Sequence, residues 1–323
     1  MTEAVLLSAE DLRPLREQAQ HAKTMMQVVQ SALLAQHQTV VRHQYLSDQG
    51  TGDVSGLKLS VTAQDGERSG LRIFGNPPHN RTYMLLNQHT RSVLAVMDYG
   101  VLNSLRVGAT AAVAAHWLAS PQARTVGLIG SGWQAQPQLD GLFQALPHLE
   151  QVRVFSPTPA NRERFARDMT ARLNIPVTAV SSVQAAVEGA DVVDLCGPGH
   201  GDVRRPLFDS AWIKPGALVI AMAPNQCPVD FVRKSQIVVS SWEALTQPDI
   251  WPPYDTLIEQ QQLKPNDIWA IGAIIASGEP AHARPDQCTI YHLEGASASD
   301  LFVASWAHDW ARANGLGQRF QFS

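Results

Sequence analysis

Residues Thr125-Val126-Gly127-Leu128-Ile129-Gly130-Ser131-Gly132-Trp133-Gln134-Ala135 pass from an apolar, β-branched run through a G-x-G-x-x-A turn into a helical pattern that Pro147 halts. Two glycines alone carry little. A strand, a tight turn and a helix in immediate succession form the first half of a βαβ unit. In that context Gly130 permits the turn and Gly132 lets the backbone approach a pyrophosphate. Ala135 lets the helix pack closely on the strand, and the free N–H groups at the helix N-terminus face the phosphate. Gly130, Ser131, Gly132, Trp133 and Gln134 are therefore the expected dinucleotide contacts. The competing reading is a glycine-rich βα turn without a ligand.

Towards the C-terminus, Val152-Arg153-Val154-Phe155 reads as the second strand and ends at Ser156. An Asp or Glu there would accept from both hydroxyls of the adenosine ribose and select NAD. Pro157, Thr158, Asn161 and Arg162 follow, with no carboxylate before Glu163 and with one cation that would attract a 2′-phosphate. Ser156, Thr158 and Arg162 are the expected ribose contacts, and NADP is favoured over NAD; a merely solvated Arg162 is the alternative. Short apolar runs at 177–180, 192–195, 217–221 and 237–239 alternate with helical stretches, as in a doubly wound parallel sheet.

Towards the N-terminus, 102–119 is an Ala-rich helix ended by Ser120-Pro121. Residues 40–98 alternate in short runs such as Leu57-Lys58-Leu59-Ser60-Val61 and Tyr83-Met84-Leu85-Leu86, broken by Asn76-Pro77-Pro78, as an antiparallel sheet would. Ser8 and Asp11 form a capping box before Leu12, Leu15, Ala19, Ala22, Met26, Val29 and Leu33, so one long amphipathic helix is expected to open the chain. The stretch 299–314 is again helical. The expected fold is α/β: a Rossmann domain, 119–298, inserted in an α+β domain made of 1–118 and 299–323.

The 323 residues are 45% hydrophobic and 17% charged, which excludes a disordered chain. Twenty-five Lys and Arg against 29 Asp and Glu leave a net charge of −4 without a basic tract, so nucleic acid is not an expected partner. The longest apolar run, 216–224, is under half of the roughly 20 residues that a membrane span needs. With no export signal the cytoplasm is the expected compartment, and the Asn80-Arg81-Thr82 sequon is set aside. Cys196, Cys227 and Cys288 are scattered and read as buried free thiols, with no metal-ligand spacing. His79 and His89 fall in the sheet region, where each could donate a proton but more often is structural.

Leu105-Arg106-Val107-Gly108-Ala109-Thr110-Ala111-Ala112, placed about 20 residues before the glycine turn, and Trp212-Ile213-Lys214-Pro215-Gly216 complete a recognisable order. The chain resembles the ornithine cyclodeaminase/μ-crystallin family from about residue 55 to 322. That resemblance implies a substrate-binding and dimerisation domain, an inserted Rossmann domain, a C-terminal segment that crosses back, and a homodimer. It also implies that Arg106 holds the substrate carboxylate, a task that suits a planar five-donor fork. An Arg106 that ties the two domains by a salt bridge is the bland alternative.

Two positions depart from the family pattern. Gly70-Leu71-Arg72-Ile73 carries Arg72 where the family has an active-site lysine; arginine binds a carboxylate but does not exchange a proton near neutrality. Lys58 is the nearest amine that could substitute, an ordinary outward-facing strand residue being its plainer reading. In Ala223-Pro224-Asn225-Gln226-Cys227-Pro228, Gln226 stands at the family aspartate, and a neutral amide orients a substrate without acting as a base. Asp230 is the nearby carboxylate, expected beyond the turn. In Gly295-Ala296-Ser297-Ala298-Ser299-Asp300, Asp300 is expected to cap the last helix.

The favoured function is an NAD(P)-dependent oxidoreductase that reduces the imine of a small 2-oxo acid, or oxidises the corresponding amino acid, with Arg72, Arg106 and Gln226 as its catalytic set. The rivals are an NAD(P)H-binding protein with little turnover and a true amino-acid cyclodeaminase. Loss of the lysine and the aspartate favours the binder. An arginine for a substrate carboxylate has no evident purpose in a protein that binds only the dinucleotide.

Overall fold

A computed structural model describes residues 3–18, 20–38, 45–47, 56–61, 67–74, 81–197, 206–246, 252–282, 284–293 and 296–321. The chain divides into two compact units, Met1–Arg106 with Gly295–Ser323, and Val107–Glu294. The first division falls inside a helix rather than at residue 118, because the Ala-rich helix is continuous through it.

Unit 1 begins with β1 (Glu3–Leu7), α1 (Ala9–Glu17) and α2 (Gln20–Gln38). Strands β2 (Tyr45–Ser47), β3 (Gly56–Val61), β4 (Arg68–Phe74), β5 (Thr82–Asn87) and β6 (Val93–Asp98) follow, and β6 runs directly into α3 (Tyr99–Leu118). The Ser8–Asp11 capping box is present, with the serine hydroxyl accepting from Asp11 N at 3.2 Å. Two expectations fail at this end. A strand precedes the first helix, and that helix is interrupted at Gln18, whose backbone is extended. Hydrophobic periodicity does not register the break: the buried positions Leu12 and Leu15 continue into Met25, Val29, Ala32 and Leu33 on the far side.

Unit 2 contains β7 (Thr125–Ile129), α4 (Ala135–Ala145), β8 (Gln151–Phe155), α5 (Pro159–Leu173), β9 (Val177–Ala179), α6 (Val183–Val187) and β10 (Val192–Leu195). It continues with β11 (Leu218–Ala221), α7 (Val229–Lys234), β12 (Gln236–Val239), α8 (Trp242–Thr246), α9 (Tyr254–Glu259), β13 (Ile268–Ala270), α10 (Ile271–Ser277) and β14 (Thr289–His292). Chain segments α11 (Ser297–Ala313) and β15 (Gln318–Gln321) belong to unit 1.

The sheet of unit 1 has the order β15-β1-β6-β5-β4-β3-β2; β1 pairs parallel with β6, and the other pairings are antiparallel. Its register lays Leu7, Met97, Tyr83 and Arg72 side by side on the inner face. Leu6, Val96, Met84 and Leu71 form the corresponding row on the outer face. Helix α11 packs on β3, β4 and β5, α1 packs on β1 and β6, and α2 lies against α11; Arg68 fixes α11 against β4 through a two-point bond to Asp309 at 2.7 and 2.9 Å.

The sheet of unit 2, β13-β12-β14-β11-β10-β7-β8-β9, is parallel throughout. Strands β10 and β11 are buried at every position, as parallel strands covered on both faces are; β11 reads as an unbroken apolar run, whereas β10 carries the fully buried Asp194 among its apolar residues. Strands β13 and β14 were not legible, since Ile268-Trp269-Ala270 is only three residues long and Thr289-Ile290-Tyr291-His292 mixes polar with apolar positions. On one face Val193, Val219, Ile237 and Ile290 pack with Phe231, Tyr254 and Leu257. No helix among the described residues is long and apolar enough to cross a membrane.

Helices α3 and α4 cross at Gly108 and Gly141: a Cβ on Gly108 would run into the Pro137 carbonyl, and one on Gly141 into the Gly108 carbonyl. Gly108→Ala should therefore cost about 1–3 kcal/mol by forcing the helices apart. Chemical denaturation measures this, and an unchanged midpoint would mean that the crossing yields freely.

Candidate active site

Because β6 turns into α3 without a loop, Tyr99 lies next to the inner face of the sheet, where its ring stacks on Tyr83 with centroids 5.0 Å apart. Tyr83 lies across Gly70, a position that a side chain would obstruct. Its register partner Arg72 places its guanidinium carbon 5.2 Å from the Tyr99 ring centroid, a cation–π contact. One helical turn beyond Tyr99, Asn103 and Arg106 share a face of α3.

These side chains converge on Asp300. Arg72 Nη1 donates to Asp300 Oδ2 at 3.1 Å, Arg106 Nε lies 3.2 Å from Oδ1, and the Tyr99 hydroxyl donates to Oδ1 at 2.9 Å. Asn103 Oδ1 joins the two arginines from the other side, accepting from Arg106 at 2.9 Å and Arg72 at 3.2 Å. The Asp300 side chain is fully buried, while those of Arg106 and Arg72 are 7% and 12% exposed. Burial, and then the Asp300 charge, push the Tyr99 hydroxyl well above its usual pKa, so it stays a neutral donor. The result is a pair of positively charged forks locked in place by a carboxylate set behind them.

This corrects the expectation for Asp300. The helix begins at Ser297 with Ala296 at the cap position, and Asp300 lies one turn in, its carboxylate engaged by Arg72, Tyr99 and Arg106. The small residues 297–299 pack buried and let the helix start earlier than an N-cap reading requires. Arg106 makes these contacts inside its own unit, which accounts for it without the domain-tying salt bridge. Tyr99, Asn103 and Asp300 were missed as site residues. Only the Asn103–Arg106 spacing was a usable signal, because the other partners come from β4 and α11, far apart in sequence.

In unit 2, Gly130 adopts φ +117°, a conformation suited to glycine, and a Cβ on it would lie 2.7 Å from the Cys196 carbonyl oxygen. Its N–H donates to the Phe155 carbonyl at 2.7 Å, tying the turn to the end of β8. A second tie runs between the hydroxyls of Ser131 and Ser156, 2.8 Å apart. Gly132 has open space where a Cβ would point, Trp133 is exposed, and Gln134 occupies the cap position of α4 with its Oε1 buried and without a hydrogen-bond partner. Arg162 folds back over the strand end, donating to the Ser156 carbonyl at 2.9 Å and lying 5.7 Å from the Phe155 ring. Thr158 is the exposed cap residue of α5 and makes no side-chain capping bond. The structure thus draws Gly130, Ser131, Ser156 and Arg162 into one connected patch, with Thr158 two residues along.

Gln226 is buried, and its carboxamide is fully engaged by backbone: Oε1 accepts from Met222 and Ala223 N–H at 2.7 and 3.1 Å, and Nε2 donates to the Leu195 and Gly197 carbonyls at 3.3 and 3.5 Å. This use needs both a donor and an acceptor, which an aspartate would not supply. Asp230 is exposed on the first turn of α7. Lys58 is the register partner of Arg72, but its side chain, like His79, lies outside the described residues. His89 is exposed in the β5–β6 turn. Cys196, Cys227 and Cys288 are free, and burial raises all three thiol pKa values, that of Cys227 to about 12.

The ketimine reductase mu-crystallin of Mus musculus is 28% identical over 72% of this chain and 70% of its own length. A solved structure of Thermococcus litoralis Delta(1)-pyrroline-2-carboxylate reductase, in complex with NADH and L-proline, superposes with a TM-score of 0.85 at 22% identity, covering 97% of this chain and 99% of that one. An archaeal alanine dehydrogenase dimer with bound NAD superposes with a TM-score of 0.86 at 21% identity over the whole of both chains. The model of the ornithine cyclodeaminase/mu-crystallin family matches residues 15–315, and the chain belongs to that family.

Proposed function

We propose that the protein is an NAD(P)-dependent reductase of imines of small 2-oxo acids, able to run in reverse as an amino-acid dehydrogenase. Unit 1 binds the substrate and unit 2 the dinucleotide. The observation that carries the reading is the convergence of Arg72 and Arg106 on Asp300: two arginine forks held nearly dry and immobile are preorganised for one carboxylate. The named activities of the mouse and Thermococcus relatives support the same chemistry.

The glycine turn fits a dinucleotide, since the Cβ direction of Gly132 is open and the α4 N-terminus is uncapped by any side chain. A nicotinamide bound there would supply the hydride for the imine carbon. The protein's own residues clamp the carboxylate, exclude water around it and keep Tyr99 protonated. Among the described residues no group is poised to take a proton from a reacting amine, so an imine already protonated in solution is the substrate these residues serve best. Gln226 acts as a positioning residue that braces the ends of β10 and β11.

The test is a screen of 2-oxo acids with ammonia or methylamine, and of cyclic imines, following NADH and NADPH absorbance. Turnover of any imine supports the reading. Tight NAD(P)H binding with no turnover would establish the binder instead, a reading favoured by the complete engagement of Gln226. Conversion of ornithine to proline would establish a cyclodeaminase.

The preference for NADP rests on Ser156 and on Arg162 at the end of β8. Arg162→Ala should weaken NADPH binding about tenfold more than NADH binding, the share of one charge-assisted contact; equal losses in fluorescence titrations would remove the preference. The outer-face row Leu6, Val96, Met84 and Leu71 is apolar across four strands and partly exposed, with Ile73 beside it 42% exposed. A second copy of the chain would cover it, as the dimeric alanine dehydrogenase suggests. Light scattering should give twice the mass of 35.2 kDa at micromolar concentration, and a monomer would refute the pairing.

A further inference from the structure

We infer that Asp194 is a positioning residue for the dinucleotide, a carboxyl whose proton holds the Gln138 amide in one orientation and whose ionisation weakens cofactor binding; the inference rests on the reading of unit 2 as the dinucleotide unit. Asp194 is fully buried in β10, between Leu128 of β7 and Ile220 of β11. Its neighbours Val193 and Leu195 join the apolar cluster on one face of the sheet, so the alternation of the strand turns Asp194 to the other face, where Gln138 of α4 meets it. Nothing in the proposed chemistry uses it. A carboxyl placed this way is charged only at a cost, since neither water nor a cation stands against it. The two neighbouring strands present Leu128 and Ile220, and α4 presents the uncharged Gln138, while Asp140 of that helix is bonded to Arg172 of α5. Helix α3, which crosses α4 at Gly108, carries Arg106, engaged by Asp300, and the exposed His116. Among the described residues the Cys196 thiol, 3.4 Å from Asp194 Oδ2, is the one titratable group in contact with Asp194. Burial pushes the Asp194 pKa up to about 7, and the bond from Cys196 opposes this in part. Burial and then Asp194 itself raise the thiol, which stays a neutral donor.

The carboxamide of Gln138, a residue that is itself wholly buried, gives the two protonation states different structures. In one orientation Nε2 donates to Met222 Sδ at 2.7 Å and Oε1 faces Asp194, so two acceptor oxygens meet and only a proton on Asp194 joins them. After a half-turn of the amide, Nε2 donates to Asp194 Oδ1 at 2.9 Å and Oδ2 at 3.1 Å, which suits the ionised carboxylate and releases Met222. Both arms of this device reach the glycine turn. The Met222 N–H donates to Gln226 Oε1 at 2.7 Å, and Gln226 in turn donates to the Gly197 carbonyl at 3.5 Å. Cys196, whose thiol Asp194 holds, has its carbonyl oxygen 2.7 Å from the Cβ position of Gly130. Asp194 pairs with Leu128, two residues before Gly130, so its carboxyl lies about 10 Å from a pyrophosphate seated on the turn. A negative charge on Asp194 repels that pyrophosphate through a medium that holds little water. Dinucleotide therefore binds the protonated form more tightly, and binding raises the hold of Asp194 on its proton. The coupled step is the uptake of one proton from solvent by the carboxylate, with no bond of the cofactor changed.

The experiment measures NADH affinity by fluorescence titration across about pH 6 to 9 in the wild type and in Asp194→Asn, and denaturant unfolding of both proteins, without cofactor, across about pH 4 to 8. Wild-type affinity should fall about tenfold over the first range, the effect of two like charges about 10 Å apart at an effective dielectric constant of about 20. Asparagine keeps the shape of the protonated acid and does not ionise, so Asp194→Asn should hold the acid-side affinity throughout. A carboxyl whose pKa is raised by folding costs no stability below its unfolded value of about 4 and the full amount above about 7. Wild-type stability should therefore decline between those limits more steeply than that of Asp194→Asn. A pH-independent wild-type affinity, or the same fall in Asp194→Asn, would overturn the inference while dinucleotide binding stands. Equal stability slopes in the two proteins would overturn the proton on Asp194 by a route that needs no cofactor. NADH bound at no pH would refute the reading of unit 2 and the inference with it.

Discussion

Asp300→Asn is expected to destabilise the protein by about 3–5 kcal/mol and to raise KM far more than it lowers kcat. The substitution keeps the shape of the side chain and removes its charge. Arg72 and Arg106 would then face one another, almost dry, with no carboxylate between them, and breaking a buried ion pair from one side costs this much because the remaining charge stays desolvated. The Tyr99 hydroxyl would also lose a charged acceptor. The kinetic effect separates positioning from bulk stability: forks that no longer hold their orientation bind a carboxylate weakly, yet an imine once bound at saturating concentration meets the same hydride donor. Denaturant titration and steady-state kinetics are the two measurements. A variant with wild-type stability and wild-type KM would show that Asp300 does not organise the arginines.

Arg106→Ala should reduce kcat/KM about 10²- to 10⁴-fold, the equivalent of about 3–5 kcal/mol for a desolvated, two-point carboxylate contact. Dinucleotide binding should stay nearly intact, because the glycine turn draws its geometry from β7, β8 and α4 in the other unit. Arg106→Lys should recover only part of the loss, since an ammonium supplies a point charge without the planar fork that reaches Asn103 and Asp300 together. NADPH fluorescence titration alongside the kinetics provides the control. If Arg106→Ala keeps most of its kcat/KM, the carboxylate is held elsewhere and the assignment of unit 1 as the substrate site falls.

Much of the architecture was legible in local sequence because local rules produce it. A buried parallel strand is predominantly apolar, a dinucleotide turn carries small residues at set intervals, and a capping box offers a side-chain oxygen to the first free N–H groups of its helix. Hence 125–135, 192–195, 217–221 and the Ser8–Asp11 box read correctly from the chain alone. Gln18, where the first helix breaks, and the short strands Ile268–Ala270 and Thr289–His292 were not readable. The helix break leaves the apolar period intact, and the strands owe their pairing to neighbours already in the sheet rather than to their own composition.

The site divides along the same line. Arg106, Arg72 and the glycine turn can be picked out as residue types suited to a carboxylate and a pyrophosphate. Their partners cannot. Asp300 reads as a helix cap from its neighbours in sequence, and Gln226 as a substitute for a missing base. Folding brings α11 across β4, so that Asp300 meets Arg72 and Arg106 across more than 190 positions of chain, and it closes the Gln226 amide onto four backbone groups. Residue chemistry is intrinsic to a side chain and is written locally. Charge balance, burial and hydrogen-bond saturation are sums over neighbours that only the folded chain assembles, and these turn two arginines into a preorganised carboxylate site and a glutamine into a brace.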